Sequence, residues 1–98
     1  MCNQEIHHQI INAICKALDI NDIKTESRRP VYAHARFIAI KLLIDKKYSY
    51  CRIAYMLNRD ITTIYFGERR CKQLVKQEDE IFAIRLTKIK RELEALCA

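Results

Sequence analysis

The sequence contains a single glycine, Gly67, a single proline, Pro30, and no tryptophan. Folds built from sheets and tight hairpins normally need several such turn residues, so their scarcity favours helices. With one glycine, the chain also lacks the glycine-rich loops that hold nucleotide phosphates. The sequence therefore predicts an all-α protein without nucleotide-binding or nucleotide-hydrolysing chemistry.

Long apolar runs and catalytic motifs are missing as well. No stretch approaches the roughly 18 apolar residues of a membrane span, and no charged-then-apolar signal peptide opens the chain. No Ser or Cys lies in a recognisable nucleophile motif, and the three histidines lack the spacing of metal ligands or of a catalytic triad. We therefore expect a cytoplasmic protein that is not an enzyme, has no membrane partner and binds neither a metal nor a cofactor.

The cysteines do not form a recognisable metal or redox pattern. Their number is odd and they are widely spaced, at Cys2, Cys15, Cys51, Cys71 and Cys97. No C-x-x-C pair occurs, so the sequence suggests neither a zinc ribbon nor a thioredoxin-like site. We expect reduced thiols that pack as small apolar side chains.

Length and charge are the first positive signals. The 98 residues, half of them apolar, predict one helical domain with a modest core. The net charge is +6, and residues 24–77 carry thirteen Lys and Arg against four acidic residues, whereas residues 1–23 and 78–98 carry net charges of −2 and −1. A solvated basic surface is one explanation of such an excess. Its confinement to one segment favours phosphate binding.

Apolar residues recur with helical spacing in five segments, which we predict as helices: residues 3–18, 30–45, 49–57, 60–76 and 78–97. Residues 19–30 read as a polar turn that contains at most one short helical turn. The segment 30–45 is apolar on more than one side, so it should be the central helix of the core. The last helix is expected to pack back onto the domain, and a dimer formed through it is the alternative.

Residues 49–76 read as a short helix, a tight break and a longer helix. Ser49 is expected to cap the short helix, and Asn58 suits the left-handed conformation found at helix ends. Asp60 is expected to cap the longer helix, with its carboxylate accepting from the first amides. This is the layout of a helix-turn-helix, whose second helix enters the DNA major groove.

The longer helix divides into two faces at about 100° per residue. One side gathers Ile64, Cys71, Leu74 and Val75. The other side gathers Thr62, Phe66, Arg69 and Gln73, flanked by Arg70 and Lys76. The first group predicts contact with the core and the second predicts an outward, basic surface.

Three positions of this helix, Thr62, Thr63 and Phe66, allow two interpretations each, and a fourth, Gly67, carries a cost. Thr62 and Thr63 suit contact with base edges or thymine methyls, or alternatively bonds to the local backbone. Phe66 suits contact with thymine methyls or sugars, or burial against another helix. Gly67 costs roughly 1 kcal/mol against alanine inside a helix, which predicts a close approach to a neighbouring helix.

Residues 10–76 resemble the C-terminal DNA-binding domain of the bacterial replication initiator DnaA. That family shows an A-R-P-R-Q-x-A-M-x-L helix, a short helix opening near Ser, and then G-R-D-H-T-T-V. The matching stretches here are AHARFIAIKL at residues 33–42, residues 49–57, NRDITTI at residues 58–64, and the continuation through Arg69 and Arg70. The resemblance implies an all-α fold of five to six helices, similar to the DnaA C-terminal and Trp-repressor-like folds.

The resemblance also implies roles by position. It places base contacts or their support at Asp60, Thr62 and Thr63, motif cations at Arg36 and Arg59, and contacts to backbone phosphates at Lys46, Lys47 and Arg52. Two positions depart from the family pattern. Ile61 stands where the motif has a histidine, and His34 aligns with the arginine that enters the minor groove.

These observations lead to two expectations about function. The first is sequence-specific binding of double-stranded DNA by a stand-alone regulator or accessory factor in replication initiation or transcription. The alternative is a protein-interaction module that retains the fold without reading DNA, with Ile61 and Phe66 as its apolar contact patch. A homodimer or a replication protein is a possible further partner under either expectation.

Overall fold

A computed structural model describes residues 3–20 and 29–97. In this part of the chain there are five helices and no strand: α1 (Asn3–Leu18), α2 (Pro30–Asp45), α3 (Tyr50–Leu57), α4 (Ile61–Lys76) and α5 (Glu80–Cys97). The all-α prediction is confirmed, and each helix begins and ends within two residues of its predicted limits. The predicted polar turn falls largely on residues 21–28, which lie outside the described residues.

Helix α2 is the centre of the core, as its sequence predicted. It contacts each of the other four helices. The chain starts this helix with Pro30, whose fixed φ suits a first helical turn. Its buried side chains come from several sides of the cylinder: Ala35, Ile38, Ala39, Ile40 and Leu43.

Helices α1 and α5 pack mainly against each other. Ile10 and Ile14 of α1 and Phe82 and Ile89 of α5 are all buried in the common core. The prediction that the last helix packs back onto the rest of the chain is therefore confirmed.

The connection between α3 and α4 follows the predicted layout. The Ser49 hydroxyl accepts a hydrogen bond from the Arg52 amide at 3.2 Å, which caps α3. Asn58 ends α3 in the left-handed region, with φ 54° and ψ 50°. This conformation lets the Arg59 amide donate to the Ala54 carbonyl at 2.9 Å. Both predictions are confirmed. The chain passes from the end of α3 to the start of α4 through only three residues.

The predicted cap of α4 is at the correct residue, but the predicted hydrogen bond from its side chain is wrong. Asp60 is the residue before the helix, but its carboxylate accepts no hydrogen bond from the first turn. Its backbone carbonyl does so instead, accepting from the Thr63 amide at 3.0 Å and the Ile64 amide at 3.3 Å. The Asp60 side chain is exposed, so water can hydrate the carboxylate without help from the helix.

Helix α4 buries Ile64, Gly67, Cys71 and Leu74. A Cβ atom on Gly67 would collide with Ile40 Cδ1, which confirms the predicted close approach to a neighbouring helix. Val75 was predicted to face inward, and this prediction is wrong because its side chain is 52% exposed. On the helical wheel Val75 lies only about 20° from Ile64, so periodicity placed it with the buried residues. It is in the last turn of α4, and its exposure reflects where the packing around this helix ends.

Two further properties of the sequence have a structural counterpart. Burial raises the pKa of the Cys71 thiol, consistent with a cysteine that packs as a small apolar side chain. The same expectation is wrong for Cys51, which is exposed. Among the helices of residues 3–20 and 29–97, none combines the length and the apolar character that crossing a membrane requires.

Candidate nucleic-acid interface

The side of α4 that points away from the core is open to solvent. We call this surface the outer face of α4, formed by Ile61, Thr62, Tyr65, Phe66, Arg69 and Gln73, all of which are exposed. Helix α5 does not cover it, because α5 packs mainly against α1. The predicted division of α4 therefore holds for Thr62 and Arg69, and a macromolecule can reach both side chains.

The threonines at the start of α4 are exposed. In the described part of the chain, neither the Thr62 nor the Thr63 hydroxyl forms a hydrogen bond with a protein group. By contrast, the Thr87 hydroxyl of α5 donates to the Ala83 carbonyl at 2.9 Å. The structure therefore shows no local backbone bonding at Thr62 and Thr63, and both hydroxyls remain available to a ligand.

The aromatic residues of the outer face are held by rings beneath them. Phe66 is 55% exposed and contacts Phe37 of α2 edge to face, with ring centroids 6.3 Å apart. The interpretation of Phe66 as packed against another helix thus applies in part, and its contact with thymine methyls or sugars stays a prediction. Tyr65 stacks on Tyr50 of α3 at a centroid distance of 4.6 Å. Sequence reasoning missed Tyr65, although its position three residues after Thr62 puts it on the same helical face.

Arg69 is the one cation of the outer face of α4, and Arg70 and Lys76 flank the second half of this face. Arg69 and Lys76 are exposed, whereas Arg70 is half-buried and donates from Nη1 to Gln73 Oε1 at 2.7 Å. The acidic neighbour Glu68 faces the other way, towards Lys72 at 3.8 Å and the Tyr50 hydroxyl at 2.7 Å. The hydrogen bond to Glu68 is the main reason that the pKa of Tyr50 is raised. No carboxylate therefore neutralises Arg69 within the described residues.

A cleft of about 610 Å³ lies beside the start of α4, where α2, α3 and α4 meet. Four predicted site residues line it, namely Arg36, Arg59, Asp60 and Thr63. Burial, and secondarily the positive charge of Arg59, hold the pKa of the Arg36 guanidinium below its usual value. The structure therefore brings together two cations that are 23 positions apart in the sequence.

The rest of the cleft was not predicted from sequence. Tyr55 and Asn58 also line it, and Tyr55 is 87% exposed. The helical spacing of α3 did indicate the direction of Tyr55. With Ala54 and Leu57 buried, the tyrosine between them has to point away from the core. That it points into a cleft with Arg36 depends on the packing of α2 against α3 and α4.

The predicted phosphate contacts Lys46, Lys47 and Arg52 form a second group, at the connection between α2 and α3. All three are exposed. The Arg52 guanidinium lies over the Tyr48 ring, 5.3 Å from its centroid. Lys46 and Lys47 precede α3, and Arg52 lies in its first turn.

His34 does not belong to the outer face of α4. Its side chain is half-buried against α5, where Nδ1 lies 2.8 Å from Arg85 Nη1 and the ring meets Phe82 edge to face at 5.1 Å. An arginine always donates, so His34 Nδ1 accepts this hydrogen bond and the proton of the neutral ring is on Nε2. The structure thus joins His34 to α5, and among the residues that the resemblance implicates Arg70 is close enough for its charge to act on the ring.

The contact between His34 and Arg85 predicts a pH-dependent stability. Burial chiefly lowers the pKa of His34 from its ordinary 6.5, Arg85 and Arg70 lower it further, and Asp79 raises it. The unfolded chain therefore takes up a proton at higher pH than the folded chain. The stabilisation is present above about pH 6.5 and is lost as the pH falls below that value.

Substitution of His34 by glutamine separates this titration from the others. Glutamine keeps an acceptor for Arg85 but has no proton to gain, so H34Q should lose less stability than the wild type between about pH 7.5 and pH 5.5. Denaturant unfolding of both proteins at the two pH values measures the difference. Equal losses would show that His34 contributes nothing to the pH dependence.

The candidate interface thus consists of exposed threonines, aromatic rings and cations on α4, with a cleft beside its first turn. The cations at the connection between α2 and α3 add a second basic region. No protein-family model matches this chain, and neither a curated protein nor a solved structure shows significant similarity to it.

Proposed function

We propose that the chain binds double-stranded DNA through a helix-turn-helix formed by α3 and α4, with the outer face of α4 in the major groove. The observation that carries this proposal is the exposure of Thr62 and Arg69 on one side of α4. A helix that enters a groove needs short polar side chains near its first turn to meet base edges and cations farther along to meet phosphates. Thr62 and Arg69 meet these two requirements.

The distribution of charge supports the proposal. Phosphate contacts supply most of the affinity of DNA-binding proteins, whereas contacts to base edges supply specificity. Exposed cations occur both on α4, at Arg69, and at the connection between α2 and α3, at Lys46, Lys47 and Arg52. Two basic regions on either side of α3 suit contact with the two strands that border a groove.

We further propose a DnaA-like arrangement of these helices and a role as a stand-alone regulator or accessory factor in replication initiation or transcription. The support is the motif NRDITTI, in which Asn58 makes the left-handed turn and Asp60 precedes α4. Ile61 replaces the motif histidine and brings an apolar side chain to the first turn. We therefore expect a DNA site that differs from the family's usual box.

Substitution of Arg69 by alanine tests the proposal directly. Because Arg69 is assigned to a phosphate, R69A should weaken binding to all duplexes alike and reduce the slope of log K against log salt by about one. Fluorescence anisotropy with a labelled duplex at several salt concentrations measures both quantities. Arg91, an exposed arginine of α5, provides a matched control, and R91A should bind as the wild type does.

Two results would contradict the assignment. Loss of binding to one sequence only would make Arg69 a base contact. Absence of duplex binding by the wild type at low salt would remove the proposed function itself, because the electrostatic contribution is strongest there.

A second candidate function is protein binding through the same surface. Ile61 is 37% exposed and lies on the outer face of α4 with Tyr65 and Phe66, which gives this surface an apolar component. Under this alternative, Ile61→Glu should abolish capture of a protein partner, and the wild type should bind no duplex at low or physiological salt. Duplex binding with a salt slope would favour the first function.

A further inference from the structure

The cleft beside the start of α4 is wider than one phosphate group requires. Its side chains come from three elements: Arg36 from α2, Tyr55 from α3, and Asn58, Arg59, Asp60 and Thr63 from the connection and the first turn of α4. It opens beside the end of α4 that the proposed function brings closest to DNA. Any group bound here would therefore fix the position of α4 along the groove.

The charges of the cleft favour an anion. Arg36 and Arg59 are close enough for the charge of one to lower the pKa of the other, and Asp60 is the only carboxylate among the lining residues. Two cations and one anion leave the lining with a net charge of +1. A bound anion would relieve the repulsion between the guanidinium groups, which also present donors in the planar arrangement that phosphates match.

The neutral side chains favour an anion that carries an organic group. Asn58 and Thr63 add an amide and a hydroxyl that can donate to phosphate oxygens. Tyr55 adds a largely exposed ring with an apolar face and a polar tip. A deoxyribose presents carbon atoms that can pack against the face of this ring, whereas inorganic phosphate would leave the ring without a partner.

We propose that the cleft holds one backbone phosphodiester of the bound DNA strand, between Arg36 and Arg59, with the adjoining deoxyribose against the Tyr55 ring. This inference rests on the proposed duplex binding. It assigns to the cleft the role of setting the register of α4, because the phosphate beside its first turn determines which base edges Thr62 can reach. Phosphate contacts of this kind position a protein without reading sequence.

A duplex with a single neutral methylphosphonate, moved along each strand, tests the contact. One position should weaken wild-type binding by about tenfold, the size of a lost hydrogen-bonded charge pair. The same substitution should have a smaller effect at that position in R36Q and in R59Q, because each variant has already lost one of the two cations. R69Q, altered outside the cleft, should retain the full effect and serves as the matched control.

The tyrosine has its own variants. Y55A should weaken duplex binding, and Y55F should bind as the wild type does, because the inference assigns the ring and not the hydroxyl to the sugar. Because Arg36 is half-buried, its substitution can disturb the fold, and circular dichroism of R36Q tests for this. R59Q provides the second variant of the cation pair.

The outcomes separate this inference from the proposed function. If the duplex binds but no methylphosphonate position has a smaller effect in both R36Q and R59Q than in the wild type, the inference is overturned and DNA binding stands. If no duplex binds, the proposed function is overturned. The anion site is then tested with inorganic phosphate against chloride at equal ionic strength: a thermal stabilisation that R91Q keeps and R36Q loses supports it, and no stabilisation overturns it.

Discussion

Replacing Gly67 with leucine is expected to lower the free energy of unfolding by about 3 kcal/mol, because no side chain fits between α2 and α4 there. A Cβ atom on Gly67 would collide with Ile40 Cδ1 and lie 3.5 Å from Phe37 Cδ1. Ile40 is buried, so rotation of its terminal methyl can make room for a single Cβ but not for a whole leucine side chain. The larger side chain therefore has to push α2 away from α4. Denaturant unfolding followed by circular dichroism measures the loss.

A double-mutant cycle identifies the contact that sets this cost. Gly67→Ala gains about 1 kcal/mol in helix propensity but places its Cβ against Ile40. Ile40→Val removes the Cδ1 atom in the way and alone costs about 0.5–1.5 kcal/mol. The double variant should be more stable than the sum of the single changes by about 1 kcal/mol or more. Strictly additive effects would mean that Ile40 does not limit the space at Gly67.

Substitution of Thr62 by alanine is expected to reduce discrimination between specific and random DNA by about 1–3 kcal/mol, or about 5- to 150-fold. Thr62 is exposed in the first turn of α4, and its hydroxyl bonds to no protein group among the described residues. Its removal should therefore leave the free protein unchanged and affect only base contacts. Selection from a random duplex pool provides the specific site, and anisotropy then gives both affinities.

Thr87 on α5 provides the control for this measurement. It is exposed, its hydroxyl is satisfied within its own helix, and it lies outside the outer face of α4. Thr87→Ala should leave the ratio of specific to random affinity unchanged. An equal loss of affinity for both duplexes in T62A would remove Thr62 from the residues that read bases.

The local part of this fold was accessible from sequence because each feature depends on neighbouring residues. The cap at Ser49 and the left-handed Asn58 follow from side-chain chemistry within one helical turn. The buried stripe through Ile64 and Cys71 follows from helical periodicity. Gly67 predicted the close approach of another helix, although helical periodicity alone could not identify Ile40 as the neighbouring residue.

The errors and omissions share a different origin. The contact of His34 with Arg85 joins residues 51 positions apart, and the pairing of Arg36 with Arg59 depends on three elements meeting. Neither follows from a pattern within one segment. At Val75, the helical wheel indicated the core side, whereas the exposure of the side chain depends on how far the neighbouring helices extend along α4.

The contact between Tyr50 and α4 has a consequence for the kinetics of association. The Tyr50 ring stacks on Tyr65 and the Tyr50 hydroxyl donates to Glu68, so one side chain of α3 contacts two successive turns of α4. The angle between the two helices is then set before any partner arrives, and little conformational entropy is lost on encounter. Association should consequently be a single, concentration-dependent step, without a slower rearrangement of α4 afterwards.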